Sequence, residues 1–317
     1  MLINILLIVI GMALLVKGGD ILIDGASSLA RRFNVSELAI GLTIVAFGTS
    51  APELVVSLSA SLSSHPEIAL GNAIGSNNAN LFLILGITGL IAPIAVQKNT
   101  VRIEIPFSLL AAIILFLLAN FSFFTGGRNM LTRIDGLILL LFLGLFVFYV
   151  LKSMKAAIPD DSASSAKTLS LLKSIVFIVA GLVFLVLGGR VVVMAAVAIA
   201  QALNIGEDVI GLTIVAVGTS LPELVTCIVA IVKKKDDIAI GNIIGSNIFN
   251  IFFVLGVCAS IRPMEYSPVF NRDIYLLIIG TVLLLLAMFI GKKRMLGRFE
   301  SGVFFLIYVG YVIYLLL

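Results

Sequence analysis

The sequence predicts an all-α polytopic membrane protein: ten transmembrane helices in two inverted five-helix repeats. Three observations carry that prediction. The 317 residues are 61% hydrophobic and 12% charged, with mean hydropathy +1.22. A soluble domain is roughly 45–50% apolar and about 25% charged. The apolar residues gather in continuous runs, and a helix crossing a bilayer needs about 20 such residues. Finally, the chain matches itself at a shift of 170 positions. Ten spans would use most of the length and leave short loops, with no room for a soluble catalytic domain.

The spans are read at roughly 2–24, 36–62, 68–92, 104–124, 132–151, 170–200, 207–232, 238–261, 270–291 and 299–317. They are glycine-interrupted apolar runs, not alternating strands, so helices fit and a lipid-facing barrel does not. The first run lacks a preceding basic residue and has a copy later in the chain, so it reads as a span and not a cleaved signal peptide. The stretch 152–169, KSMKAAIPDDSASSAKTL, is the longest loop. It reads as a cytoplasmic linker between the halves 1–151 and 170–317.

Inner loops of membrane proteins are rich in Lys and Arg. With the N-terminus outside, fifteen Lys and Arg fall in inner loops, among them Arg31, Arg32, Lys98, Arg102 and Lys233 to Lys235. Four fall outside: Arg128, Arg133, Arg262 and Arg272. Both termini are therefore expected to be extracytoplasmic. The net charge of +4 follows from this loop bias, so it gives no reason to expect nucleic-acid binding.

The repeat is strongest where the residues are polar. GLTIVAFGTSAPELV (41–55) lies over GLTIVAVGTSLPELV (211–225), and GNAIGSNNANLFLILG (71–86) over GNIIGSNIFNIFFVLG (241–256). Between 41–86 and 211–256, 26 of 46 positions are identical. Five helices per half is an odd number, so equivalent helices cross in opposite directions. The loops agree: Lys233 to Lys235 read as inside while their counterparts Ser63, Ser64 and His65 read as outside. Inverted repeats of this kind mark secondary transporters, with the site at the repeat interface near the midplane.

Glu53 and Glu223 sit inside these otherwise apolar spans, where a charge costs at least about 2.5–3.5 kcal/mol. Neither span contains Lys or Arg, so a bound cation is the natural counter-charge. Each follows a proline, in GTSAPE and GTSLPE. Proline removes a backbone donor, so the helix should break near 48–52 and 218–222 and free carbonyl oxygens toward a cavity. Ser50 and Ser220 also fit a helix cap with proline in the first turn. Carbonyls, hydroxyls and a carboxylate form a hard-oxygen set suited to sodium or calcium. Ser76 and Asn80 share one helix face, as do Ser246 and Asn250, and are expected to line the ion path. Gly71, Gly75, Gly241 and Gly245 form small-x-x-x-small patterns for close packing. Two carboxylates balance one divalent ion or two monovalent ions in turn, which permits exchange.

With the paired GTS-x-PE and GN-x-x-GSN motifs on the page, the chain resembles the sodium/calcium exchangers of the cation/calcium antiporter superfamily, in the prokaryotic form without a regulatory domain. That resemblance implies antiport of sodium and calcium by alternating access. It implies Glu53, Glu223, Thr49, Ser50, Thr219, Ser220, Ser76 and Ser246 as ion ligands, with backbone carbonyls of Ala46 and Ala216. It also implies that the first and sixth spans slide across the core, eased by Gly18–Gly19 and Gly188–Gly189. Family members often carry Asp at one or both positions matched by Asn80 and Asn250. Two Asn make this core less negative and argue for potassium independence.

The other residues read more plainly. Cys227 and Cys258 have no metal spacing and read as small buried side chains. His65 is alone in a loop, Glu37 and Glu207 suit helix starts, and Phe82 and Phe252 read as core. No Walker A or DKTG motif suggests a pump, and one histidine leaves no hydrolase triad. The expectation is a non-enzymatic antiporter in the plasma membrane, a monomeric transport unit with no cofactor, whose partners are sodium, calcium and the bilayer. A calcium/proton exchanger is the alternative, ahead of a cation channel.

Overall fold

The computed structural model describes residues 1–121, 129–153, 169–203, 216–289 and 294–316. The linker expected at 152–169 falls almost wholly outside these residues. So do Arg128, Asn204, Glu207, residues 211–215 of the second repeated motif, Lys292 and Lys293.

Among the described residues, eight helices are long and apolar enough to cross a membrane: Leu2–Phe33, Pro66–Ile91, Thr100–Asn120, Arg133–Ser153, Leu171–Ala202, Asp236–Ile261, Pro268–Ala287 and Arg298–Leu315. A ninth candidate is a bent pair, Glu37–Thr49 and Ala51–Leu62, meeting at 44°. Leu221–Val232 is a shorter apolar helix preceded by the single turn Ala216–Thr219. Boundaries depart from the apolar runs where polar residues continue a helix into the loop. The first helix extends to Phe33 because Asn34 ends it in a left-handed conformation (φ 50°) and Arg31 and Arg32 suit its last turn. The only strands described are two-residue ribbons joining loops, Ile94–Ala95 with Met295–Leu296 and Met130–Leu131 with Met264–Glu265, both antiparallel.

Burial separates a centre from a periphery. In Pro66–Ile91 and Asp236–Ile261, 72% and 83% of the most apolar window is buried; in the other six long helices the share is 17–39%. The outer helices instead expose Leu2, Phe148, Leu306 and Phe299, the surface expected where the solvent is lipid. The two central helices carry the GN-x-x-GSN motifs. Each widens into π-helical turns just beyond them, at Ala79–Ile84 and Phe249–Leu255; such turns recur at functional sites.

Leu2–Phe33 and Leu171–Ala202 lie antiparallel along a glycine seam. A Cβ at Gly18 would sit 2.9 Å from the Gly181 carbonyl oxygen, and one at Gly11 would sit 2.9 Å from that of Gly188. Only glycine lets the backbones approach so closely. Gly19 and Gly189 point elsewhere: Gly19 faces Val225 and Val229, and Gly189 faces Pro222 with its nearest atom at 3.7 Å. Each expected glycine pair thus divides its tasks, one member toward the partner helix and one toward the broken helices. Gly241 and Gly245 also pack closely, each within 3 Å of backbone atoms of the Leu38–Leu42 segment. Nothing among the described residues crowds Gly75.

Candidate functional site

The site grows from the two broken helices. Pro52 and Pro222 occupy the first turn of Ala51–Leu62 and Leu221–Val232, directly after a residue with neither helical nor extended torsions: Ser50 (φ −81°, ψ 5°) and Ser220 (φ −89°, ψ 5°). The break is where the sequence places it. One detail differs: the Ala46 carbonyl is not freed, because it accepts the Ser50 N–H at 3.0 Å and the Thr49 hydroxyl at 3.4 Å. The preceding helix thus keeps its last hydrogen bond at the 44° bend. Ala216 opens the corresponding turn in the second half. The cap reading of Ser50 and Ser220 also fails, since neither side chain bonds its own helix start.

Those hydroxyls are directed across the molecule instead. Ser50 Oγ donates to Glu223 Oε1 at 3.5 Å, Ser220 Oγ to Ser76 Oγ at 3.3 Å, and Ser76 Oγ to Glu53 Oε1 at 3.5 Å. Three of the expected residues of the first half and two of the second therefore meet at the two carboxylates. Contacts of 3.5 Å are at the outer limit of a hydrogen bond, so the hydroxyls are held loosely. Glu53 is 0% and Glu223 1% exposed, and each has an Oε2 without a hydrogen-bond partner. No ion pair among the described residues involves either glutamate. Ser246 is buried with an unpartnered hydroxyl.

The second polar layer consists of asparagines. Thr49 Oγ1 donates to Asn242 Oδ1 at 3.0 Å, and Thr219 Oγ1 to Asn72 Oδ1 at 3.5 Å. These bonds are the same one repeated at a shift of 170. Asn80 Nδ2 donates to Asn247 Oδ1 at 3.1 Å, and Asn250 Nδ2 to Asn77 Oδ1 at 3.0 Å, again an equivalent pair. The free Oδ1 atoms of Asn80 and Asn250 are buried without partners. Asn72, Asn77, Asn242 and Asn247 were not singled out from the sequence. Their signal was present, since all four are matched Asn positions within the repeated motif. Asn72 also donates to Ser57 Oγ at 2.9 Å, while Asn242 donates to Cys227 Sγ at 3.4 Å. Cys227 is buried as expected, but as a hydrogen-bond acceptor standing where Ser57 stands in the first half. Cys258 is buried, Phe82 and Phe252 lie in the core, and exposed His65 pairs with Glu67. Glu37 begins its helix beside the Ser36 cap and also pairs with Lys235 at 2.6 Å.

Among the described residues no group of three or more His, Cys, Asp or Glu is placed to hold a metal. The donors here are two carboxylates among hydroxyl and amide oxygens, chemistry that suits a hard, exchangeable cation. A cavity of about 480 Å³ between Glu37, Gln97, Lys234, Asp236, Asp237 and Arg294 lies away from this centre. It is a charged cleft among helix ends.

Polytopic helices, broken spans and a buried carboxylate pair with no Lys or Arg partner among the described residues fit a membrane transporter of cations. The chain belongs to the sodium/calcium exchanger protein family, whose profile matches residues 3–152 and 173–317. It is 37% identical to the inner membrane protein YrbG of Escherichia coli over 89% of this chain and 88% of that one. It is 32% identical to the sodium/calcium exchanger MaX1 of Methanosarcina acetivorans over 99% and 98%. Its structure is similar to that of the sodium-calcium exchanger NCX_Mj soaked with sodium and strontium, at TM-score 0.83 and 33% identity over 98% of both chains. The chain is thus a multi-pass membrane transporter in a family of cation/calcium antiporters.

Proposed function

We propose that this protein exchanges sodium for calcium by alternating access. The ions bind between the two GTS-x-PE helices and the two GSN helices. The observation that carries the reading is the pair Glu53 and Glu223: fully buried, without a basic partner, each with an unpartnered oxygen. A buried unpaired carboxylate is strongly disfavoured, and a cation load removes the penalty. One calcium or two sodium ions supply the charge the pair lacks. Thr49, Ser50, Ser76, Thr219, Ser220 and Ser246 contribute hydroxyls, Asn80 and Asn250 amide oxygens, and Ala216 a carbonyl; the Ala46 carbonyl joins them once the Thr49 hydroxyl turns from it to the ion. The uncharged Asn80 and Asn250 favour a potassium-independent cycle.

The finer architecture belongs to the same reading. Ten spans form two inverted halves, 1–151 and 170–317, joined by a cytoplasmic linker at 152–169. Both termini are extracytoplasmic, and the transport unit is a monomer in the plasma membrane. The antiparallel seam of Leu2–Phe33 and Leu171–Ala202, equivalent by the repeat, supports the inversion. So does the pairing of hydrogen bonds at a shift of 170.

Purified protein in vesicles tests the function. Radiolabelled calcium uptake is expected under an outward sodium gradient and not under a pH gradient. Uptake driven by protons alone would transfer the protein to the calcium/proton alternative. Glu53→Gln and Glu223→Gln are each expected to abolish sodium-driven uptake; full turnover in either would remove that residue from the site.

A further inference from the structure

Three carboxylates outside the central pair are buried among the described residues: Glu104, Asp135 and Asp273. Asp135 is satisfied by Thr132, whose N–H and hydroxyl both donate to it at 2.7 Å. Asp273 accepts the Tyr311 hydroxyl at 3.0 Å and lies 3.7 Å from Arg272. Among the described residues Glu104 has no cationic partner. It is 3% exposed. The Tyr149 hydroxyl donates to its Oε1 at 2.5 Å, while its Oε2 is buried without a partner. One turn earlier on the same helix, the Thr100 hydroxyl is buried and turned toward the same carboxylate.

Glu104 and Tyr149 line a cavity of about 70 Å³, together with Ser36, Gln97, Asn99 and Ser153. Roughly 10–15 Å³ suffices for one water, so this space is large enough for a small cation with a few waters. One carboxylate among hydroxyl and amide oxygens matches one hard, monovalent charge. A divalent ion would leave a positive excess in a poorly solvated place, and a soft metal would find no sulfur or imidazole. The second half has a related pair, Asp273 and Tyr311, but there Arg272 lies 3.7 Å from the carboxylate. The positions matching Thr100 and Glu104 are Phe270 and Ile274, both apolar.

We propose that this cavity is a second cation site, for a monovalent ion such as sodium, separate from the transport centre. The counterpart carboxylate in the second half, Asp273, has Arg272 beside it, so a bound ion is called for only at Glu104. Leu38, Ala39 and Leu42 form part of the cavity wall and belong to the helix that runs on to Ala46 and Thr49. An ion at Glu104 therefore braces the first broken helix from behind.

The test uses Glu53→Gln/Glu223→Gln protein in detergent, with sodium chloride replacing choline chloride at constant ionic strength and pH. Sodium is expected to raise the thermal midpoint by about 2 °C at tenfold saturation. Adding Glu104→Gln should abolish that rise, and Tyr149→Phe should weaken the sodium midpoint about fivefold. Should the double variant not fold, wild-type protein saturated with calcium gives the same comparison with Glu104→Gln. A sodium response that is absent, or that survives Glu104→Gln, overturns the site. None of these outcomes bears on sodium-driven calcium flux, which tests the transport reading independently.

Discussion

The threonine–asparagine bonds are the finest working parts of the centre. Thr49 is tied to Asn242 and Thr219 to Asn72, so each half orients the other's hydroxyl. A neutral hydrogen bond contributes about 1 kcal/mol net. Asn242→Ala should therefore raise the half-saturating sodium concentration roughly fivefold in the vesicle assay and leave vesicle insertion unchanged. Cys227→Ser should keep turnover within about twofold, because Ser57 already performs the equivalent acceptor role. Glu53 and Glu223 were legible in the sequence because a carboxylate in an apolar run stands out at once. Asn72, Asn77, Asn242 and Asn247 were not, because an asparagine's task depends on what faces it. Here most of the facing groups belong to the other half of the chain.

Helix pairing shows the same division. The glycines of Leu2–Phe33 and Leu171–Ala202 look alike in sequence, yet their surroundings differ. A side chain at Gly18 meets backbone at 2.9 Å, whereas one at Gly189 meets nothing closer than 3.7 Å. Overpacking costs about 1–3 kcal/mol, so Gly18→Val should lower the thermal midpoint of purified protein by several degrees. Gly189→Ala should leave it almost unchanged, since its Cβ makes only ordinary contacts. The proline breaks were predictable because a missing N–H acts locally. That Ser50 and Ser220 point across the molecule and do not cap their own helices was not predictable, since both options fit the same local motif.

For the whole molecule, the repeat separates what backbone sets from what charge sets. Ser64 and Lys234 occupy equivalent left-handed turns, at φ 67° and 59°. His65 and Lys235 close those turns through equivalent bonds to Ala60 and Ala230, at 2.9 and 2.8 Å. The same turn carries neutral serines in one half and three lysines in the other. Lys233 in addition bonds Asp20 and Asp24 at 2.6 Å each, a tie for which Ser63 has no charge. On the proposed orientation the lysine turn is cytoplasmic and the serine turn external. A single cysteine at 64 should react with an impermeant thiol reagent in intact cells, and one at 234 only after permeabilisation; the reverse labelling would invert the topology.

The sequence by itself determined the membrane class, the repeat, the broken helices and the two carboxylates. Each is written in composition, spacing or local backbone chemistry, which neighbours along the chain suffice to express. Tertiary structure alone decided which hydroxyl meets which carboxylate and which glycine forms the seam. It alone also showed that Cys227 accepts a hydrogen bond and that Glu104 lines a cavity with no ion-pair partner among the described residues. These follow from packing between segments up to about 170 positions apart. Burial makes their consequences large, because a polar atom withdrawn from water must find its partner inside the protein.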